Sequence, residues 1–200
     1  MNFEATPLAE IYGRTVSGSG VRSSTWSAFG TYSGQGNGTT QQIVVDNVTL
    51  GADFTIEFDV MMPTLPTAGY ASTVLQIGDV LDGDDGFLIA VNQVGTFVFH
   101  DQYYGRNNYV GSLSAGVGMS FSVVRQGDEV RLFIGPGVTP AGTFTGFTRD
   151  FTVPKNMRIA GGSKSNGQAQ TVYVDNLRVS ASALYWAVAD FTTHTQQFTI

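Results

Sequence analysis

The chain has 200 residues, a net charge of −6 and a pI of about 4.6, and only 13% of its residues are charged. Ten Lys+Arg in an acidic chain make a poor counter-ion for phosphate, which excludes nucleic acid as a partner, and no apolar run approaches the roughly 18–20 residues a membrane helix needs. The absence of cysteine excludes disulfides and thiolate metal sites.

Twenty-five glycines among abundant Ser and Thr predict many turns and little helix. Length suits one domain spanning 1–200. The N-terminus, Met1-Asn-Phe-Glu-Ala-Thr-Pro7, lacks the basic start and apolar core of a secretory signal, so a complete product made in a cytoplasm is expected. Residues 1–40 form a Gly/Ser/Thr-rich arm or edge region, in which Val16, Val21, Trp26, Phe29 and Tyr32 are the bulky apolar positions between Gly13 and Gly38. Irregular loops with one edge strand, or an arm that orders on a partner, both fit that composition.

Beyond residue 40, period-2 alternation dominates. Strands are predicted at Gln41–Val48 and at Asp53–Val60, where Phe54, Ile56, Phe58 and Val60 fall on one face and Thr55, Glu57 and Asp59 on the other. Gly86–Val91 and Gly95–His100 read as consecutive strands joined by a short turn around Asn92–Gly95. Ser120–Arg125 and Glu129–Ile134 flank Gln126-Gly127-Asp128, a hairpin turn in which glycine supplies positive φ. Val172–Val179 completes the set. Turn signals every 8–12 residues or so imply a sandwich or barrel.

These strands, in this order, resemble a laminin-G-like, concanavalin-A-like jelly roll. The likeness runs over residues 40–191. Asp53-Phe-Thr-Ile-Glu-Phe-Asp-Val60 resembles an early core strand of that family, Val74–Gly78 the next, Phe121–Ile134 its central hairpin and Arg158-Ile-Ala-Gly-Gly162 a late strand. The end of the chain carries Val174-Asp-Asn-Leu-Arg-Val179, Ala183-Leu-Tyr185 and Asp190-Phe191, similar to domains of this kind in bacteriophage virion proteins. The resemblance implies an all-β, antiparallel two-sheet jelly-roll sandwich and a non-catalytic virion protein made in a bacterial cytoplasm. It would be a capsid decoration (cement) subunit that binds the major capsid protein or another virion protein as a homo-oligomer, a trimer or dimer. The alternative it implies is a glycan-binding, lectin-like module or tail-associated adhesin with a cell-surface glycan as partner.

Catalysis finds little support in the residues. Glucanases of this fold use Glu-x-Asp-x-x-Glu to set two carboxylates about 5 Å apart. Here Glu57-Phe-Asp59-Val-Met-Met62 ends on a methionine, which offers no proton. The two histidines, His100 and His194, are far apart in sequence and neither belongs to a triad motif, so no enzyme is expected. No cofactor is required. Calcium is the candidate ion, because Asp79, Asp82, Asp84 and Asp85 set four carboxylates within seven glycine-containing residues, a hard oxygen set. Tyr103, Tyr104, Arg106, Asn107 and Tyr109 combine stacking rings with amide and guanidinium donors, which suits a sugar or a protein partner. Asp175 is expected to hold Arg178 or to cap backbone donors.

Overall fold

The computed structural model describes residues 1, 3–4, 14–67, 69–78, 86–101, 106–135, 139–162 and 169–184, with backbone alone at 106 and 107. These form fourteen strands and no helix. In chain order they are β1 (Val16–Gly18), β2 (Val21–Ser23), β3 (Ser33–Gly36), β4 (Ile43–Val48), β5 (Phe54–Met61), β6 (Ala71–Ile77) and β7 (Phe87–Asn92). Then come β8 (Phe97–Asp101), β9 (Arg106–Val110), β10 (Met119–Gln126), β11 (Glu129–Ile134), β12 (Gly142–Phe144), β13 (Lys155–Ile159) and β14 (Val172–Ser180). Two antiparallel sheets of seven strands result, β1-β4-β13-β6-β7-β8-β9 and β12-β11-β10-β5-β14-β3-β2. This is the expected all-β sandwich, of the jelly-roll kind.

Alternation explains the layers. Phe54, Ile56, Phe58 and Val60 of β5 are fully or almost fully buried between the sheets, opposite Phe87, Ile89 and Val91 of β7 in the same core. Burying each such side chain contributes roughly 1.5–3 kcal/mol. Phe87 is the hub of a ring cluster, with Phe99 at 5.1 Å, Phe151 at 5.5 Å and Phe54 and Phe147 each at 6.0 Å between centroids. The β10–β11 hairpin turns at Gly127, whose φ is 59°, as that position requires.

The N-terminal region contributes three short strands where the sequence suggested one. β1 lies at the edge of the first sheet and β2 at the edge of the second, while β3 pairs with both β2 and β14. Their shortness and their Ser/Gly content conceal the alternation on which strand reading depends.

Candidate binding faces

The Asp-x-x-Arg element lies on β14, where a spacing of three would put the two side chains on opposite faces. The chain prevents this with a bulge. Asp175 pairs with Asp59 and Arg178 with Glu57, so β14 spends one residue more than β5 between the same two points. Asn176 takes φ 50° there, and its amide donates to Asp59 Oδ2 at 3.2 Å. Asp175 and Arg178 thereby share the outward face of the second sheet with Glu57 and Asp59.

Asp175 caps backbone donors. Its Oδ2 accepts from the N–H groups of Ala28 at 2.9 Å and Phe29 at 2.8 Å, and Oδ1 from the N–H of Asn176 at 2.7 Å. Burial pushes this carboxyl above the usual aspartate range, the three donors oppose the shift, and the neighbouring Asp59 charge reinforces it. Both oxygens of Asp59 are also occupied, Oδ1 by the Ser120 hydroxyl at 2.5 Å and Oδ2 by Asn176. Asp175 therefore fixes the loop between β2 and β3, while Asp59 ties Ser120 of β10 and the bulge residue Asn176 to β5.

Glu57 stands on β5 between β10 and β14. Its cross-strand partners are Ser122 and Arg178, so neither is a carboxylate. Met62, at the position of the missing acid, is completely buried in the core. No group of three or more His, Asp or Glu side chains suited to a metal occurs among the described residues. His100 and Asp101 belong to β8, and the Asp101 carboxylate lies 3.9 Å from the Arg149 guanidinium in a buried ion pair.

The outward face of the first sheet is built differently. One register row runs Val44, Arg158, Gln76, Leu88, His100 and Asn107 across six strands, and the next runs Thr73, Ala90, Val98 and Tyr109. Leu88 and Ala90, with Ala71 against them, form a small apolar cluster separate from the main core. Tyr109 stands openly at the margin, 61% exposed on the edge strand β9. Most of these side chains are buried: Gln76 is fully so, its Nε2 donating to the Gly78 carbonyl at 2.7 Å, and Leu88, Ala90, Val98 and His100 are nearly so.

Of the residues singled out from sequence, Tyr109 is described in full. Arg106 and Asn107 are placed by backbone register opposite Asp101 and His100. Tyr109 pairs with Val98 of β8 in the same ladder. Tyr103 and Tyr104 lie outside the described residues, as do Asp79, Asp82, Asp84 and Asp85. Among the described residues, Ile77, Phe87, Asp101 and Arg106 form one register row at one end of the first sheet.

The loop at 24–32 escaped sequence reading. Its signal was a Trp and a Phe within a Ser/Thr/Gly run, but its clasp comes from Asp175, 147 residues beyond Ala28.

No protein-family model matches the chain, and no curated protein is similar to it in sequence. Solved structures do share its fold. The binding domain of Paraclostridial Mosquitocidal Protein 1 superimposes with a TM-score of 0.64 at 13% identity, over 86% of this chain and 45% of that one. Botulinum neurotoxin type C, described as dependent for cell entry on interaction with two ganglioside molecules, gives 0.61 at 12% identity over 87% and 44%. Domain 4 of AbnA, a GH43 extracellular arabinanase from Geobacillus stearothermophilus, in complex with arabinotriose, gives 0.59 at 13% over 86% and 83%. The chain spans less than half the length of the two toxin chains. At these identities the likeness is one of fold: this protein is built as a β-sandwich.

Proposed function

We propose that this protein is a non-catalytic glycan-binding module. The observation that carries the reading is Tyr109, a ring 61% exposed on the edge strand β9 of the first sheet. A pyranose has an apolar C–H face that stacks on such a ring. The fold neighbours that bind arabinotriose and gangliosides support the same reading. The capsid-decoration role, with its virion location and capsid partner, rests on the sequence resemblance alone, so the lectin-like alternative takes precedence. Calcium forms part of the proposal: Asp79, Asp82, Asp84 and Asp85 are the side chains that would hold it.

A glycan array probed with the wild type and with Tyr109→Ala, each with and without EDTA, tests this. Binding by the wild type, weakened about five- to tenfold in Tyr109→Ala, is expected, as for the loss of one ring contact of about 1 kcal/mol. A stable trimer or dimer with no glycan affinity would overturn the reading and favour decoration. Binding unaffected by EDTA would remove calcium and leave the lectin.

A further inference from the structure

We propose that the loop from Ser24 to Thr31 presents Phe29 as a second contact for a neutral pyranose, on the sheet opposite Tyr109. This rests on the glycan-binding reading and adds a site to it. Phe29 exposes 49% of its surface, although phenylalanine is ordinarily buried. Its backbone is held from several sides. Asp175 takes the N–H groups of Ala28 and Phe29, and Glu4 Oε1 takes those of Thr31 and Tyr32, each at 2.9 Å. The Ser27 hydroxyl closes the tip onto the Gly30 carbonyl at 3.0 Å. Gly30 has φ 74°, and a side chain there would begin 2.6 Å from Glu4 Oε1, so the turn requires glycine. Trp26 seats the base of the loop, its ring 6.4 Å from that of Tyr173 and against Gly118.

This rigidity has a cost. Asp175 is desolvated beside a second carboxylate, an arrangement that weakens a fold unless something else is gained. What it secures is one conformation of an exposed aromatic tip, and pre-organisation of that kind serves binding by lowering the ordering entropy. The chemistry of the tip selects the ligand class. Residues 23–33 read Ser-Ser-Thr-Trp-Ser-Ala-Phe-Gly-Thr-Tyr-Ser and carry no charged side chain; Ser24, Thr25 and Thr31 are exposed with Phe29, while Ser23 and Ser33 are buried. Arg22, the nearest cation in sequence, is engaged over the Tyr32 ring at 4.0 Å and donates to the Glu4 carbonyl at 3.0 Å. An exposed ring in a loop with exposed Ser and Thr and no cation of its own suits an uncharged sugar and offers no counter-ion for a carboxylate or sulfate.

The test is an array of neutral, sialylated and sulfated glycans probed with the wild type, Phe29→Ala, Phe29→Trp and Tyr109→Ala at low and high salt. Melting temperatures confirm that each variant is folded. Expected is binding to neutral glycans that falls about fivefold or more in Phe29→Ala, survives in Phe29→Trp and changes little with salt. If Phe29→Ala binds as the wild type does while Tyr109→Ala is impaired, this second contact is wrong and the glycan reading stands. If the wild type binds no glycan, both fall. Preference for acidic glycans that weakens with salt would overturn the assignment to neutral sugars.

Discussion

Replacing Asp175 is the sharpest single perturbation of the clasp between β14 and the loop before β3. Three N–H groups donate to its carboxylate, and hydrogen bonds to a charged group contribute about 1.5–3 kcal/mol each. Ala28 and Phe29 are exposed and recover water when the acceptor is lost, whereas Asn176 is half-buried. Asp175→Ala should therefore cost about 2–4 kcal/mol, less than the sum of three full bonds. Asp175→Asn keeps an oxygen for Ala28 and Phe29, sets its NH2 against the Asn176 N–H, and removes the repulsion from Asp59. These effects offset, and a change within about 1 kcal/mol is expected. The sign with pH follows from the raised carboxyl. The folded state holds that proton more tightly than the unfolded chain, so its stabilising effect is full below the ordinary value of 3.8 and is lost as pH rises through the raised one. Wild type should accordingly lose stability relative to Asp175→Asn between about pH 4 and pH 7. Urea unfolding of the three proteins at both pH values, with slopes held common, measures this. An Asp175→Ala midpoint indistinguishable from wild type, or a wild-type advantage that grows with pH, would refute the reasoning.

Other outcomes follow from the same structure. Phe87→Ala removes the hub of the ring cluster and should cost about 3–5 kcal/mol, lowering Tm by roughly 6–20 °C in a scanning calorimeter. Met62→Glu restores the third position of the glucanase pattern at a fully buried site; strong destabilisation and no turnover of β-glucan are expected in a reducing-sugar assay. Gly36→Ala sets a methyl 2.1 Å from the Ala160 carbonyl oxygen and 2.3 Å from that of Gln41, so little folded protein should be recovered, as judged by circular dichroism. An NMR titration should order two aspartates oppositely. Asp150, which accepts from the hydroxyl and the N–H of Thr152, should titrate below the ordinary range and Asp175 above it.

Local pattern in the sequence was enough to determine the sandwich. Phe54, Ile56, Phe58 and Val60 alternate with polar neighbours, and period 2 leaves only one way to bury that face. Gly127 between two alternating runs likewise marks its hairpin, because positive φ is a property of the residue itself. The methionine at position 62 departs from the glucanase pattern at the level of the residue itself, since that chemistry needs a proton donor whatever the fold. Which residues meet in space was a different matter. The bulge at Asn176 changes the face on which Arg178 stands, and no periodic pattern announces it. Tyr109 reached the open edge of the first sheet only through the pairing of β9 with β8. The Phe29 tip owes its shape to Asp175 and Glu4, whose hydrogen bonds reach it from distant points of the chain. Burial periodicity is written into neighbouring residues, whereas hydrogen-bond partners across a sandwich are chosen by strand order and register, and these exist only once both sheets have formed.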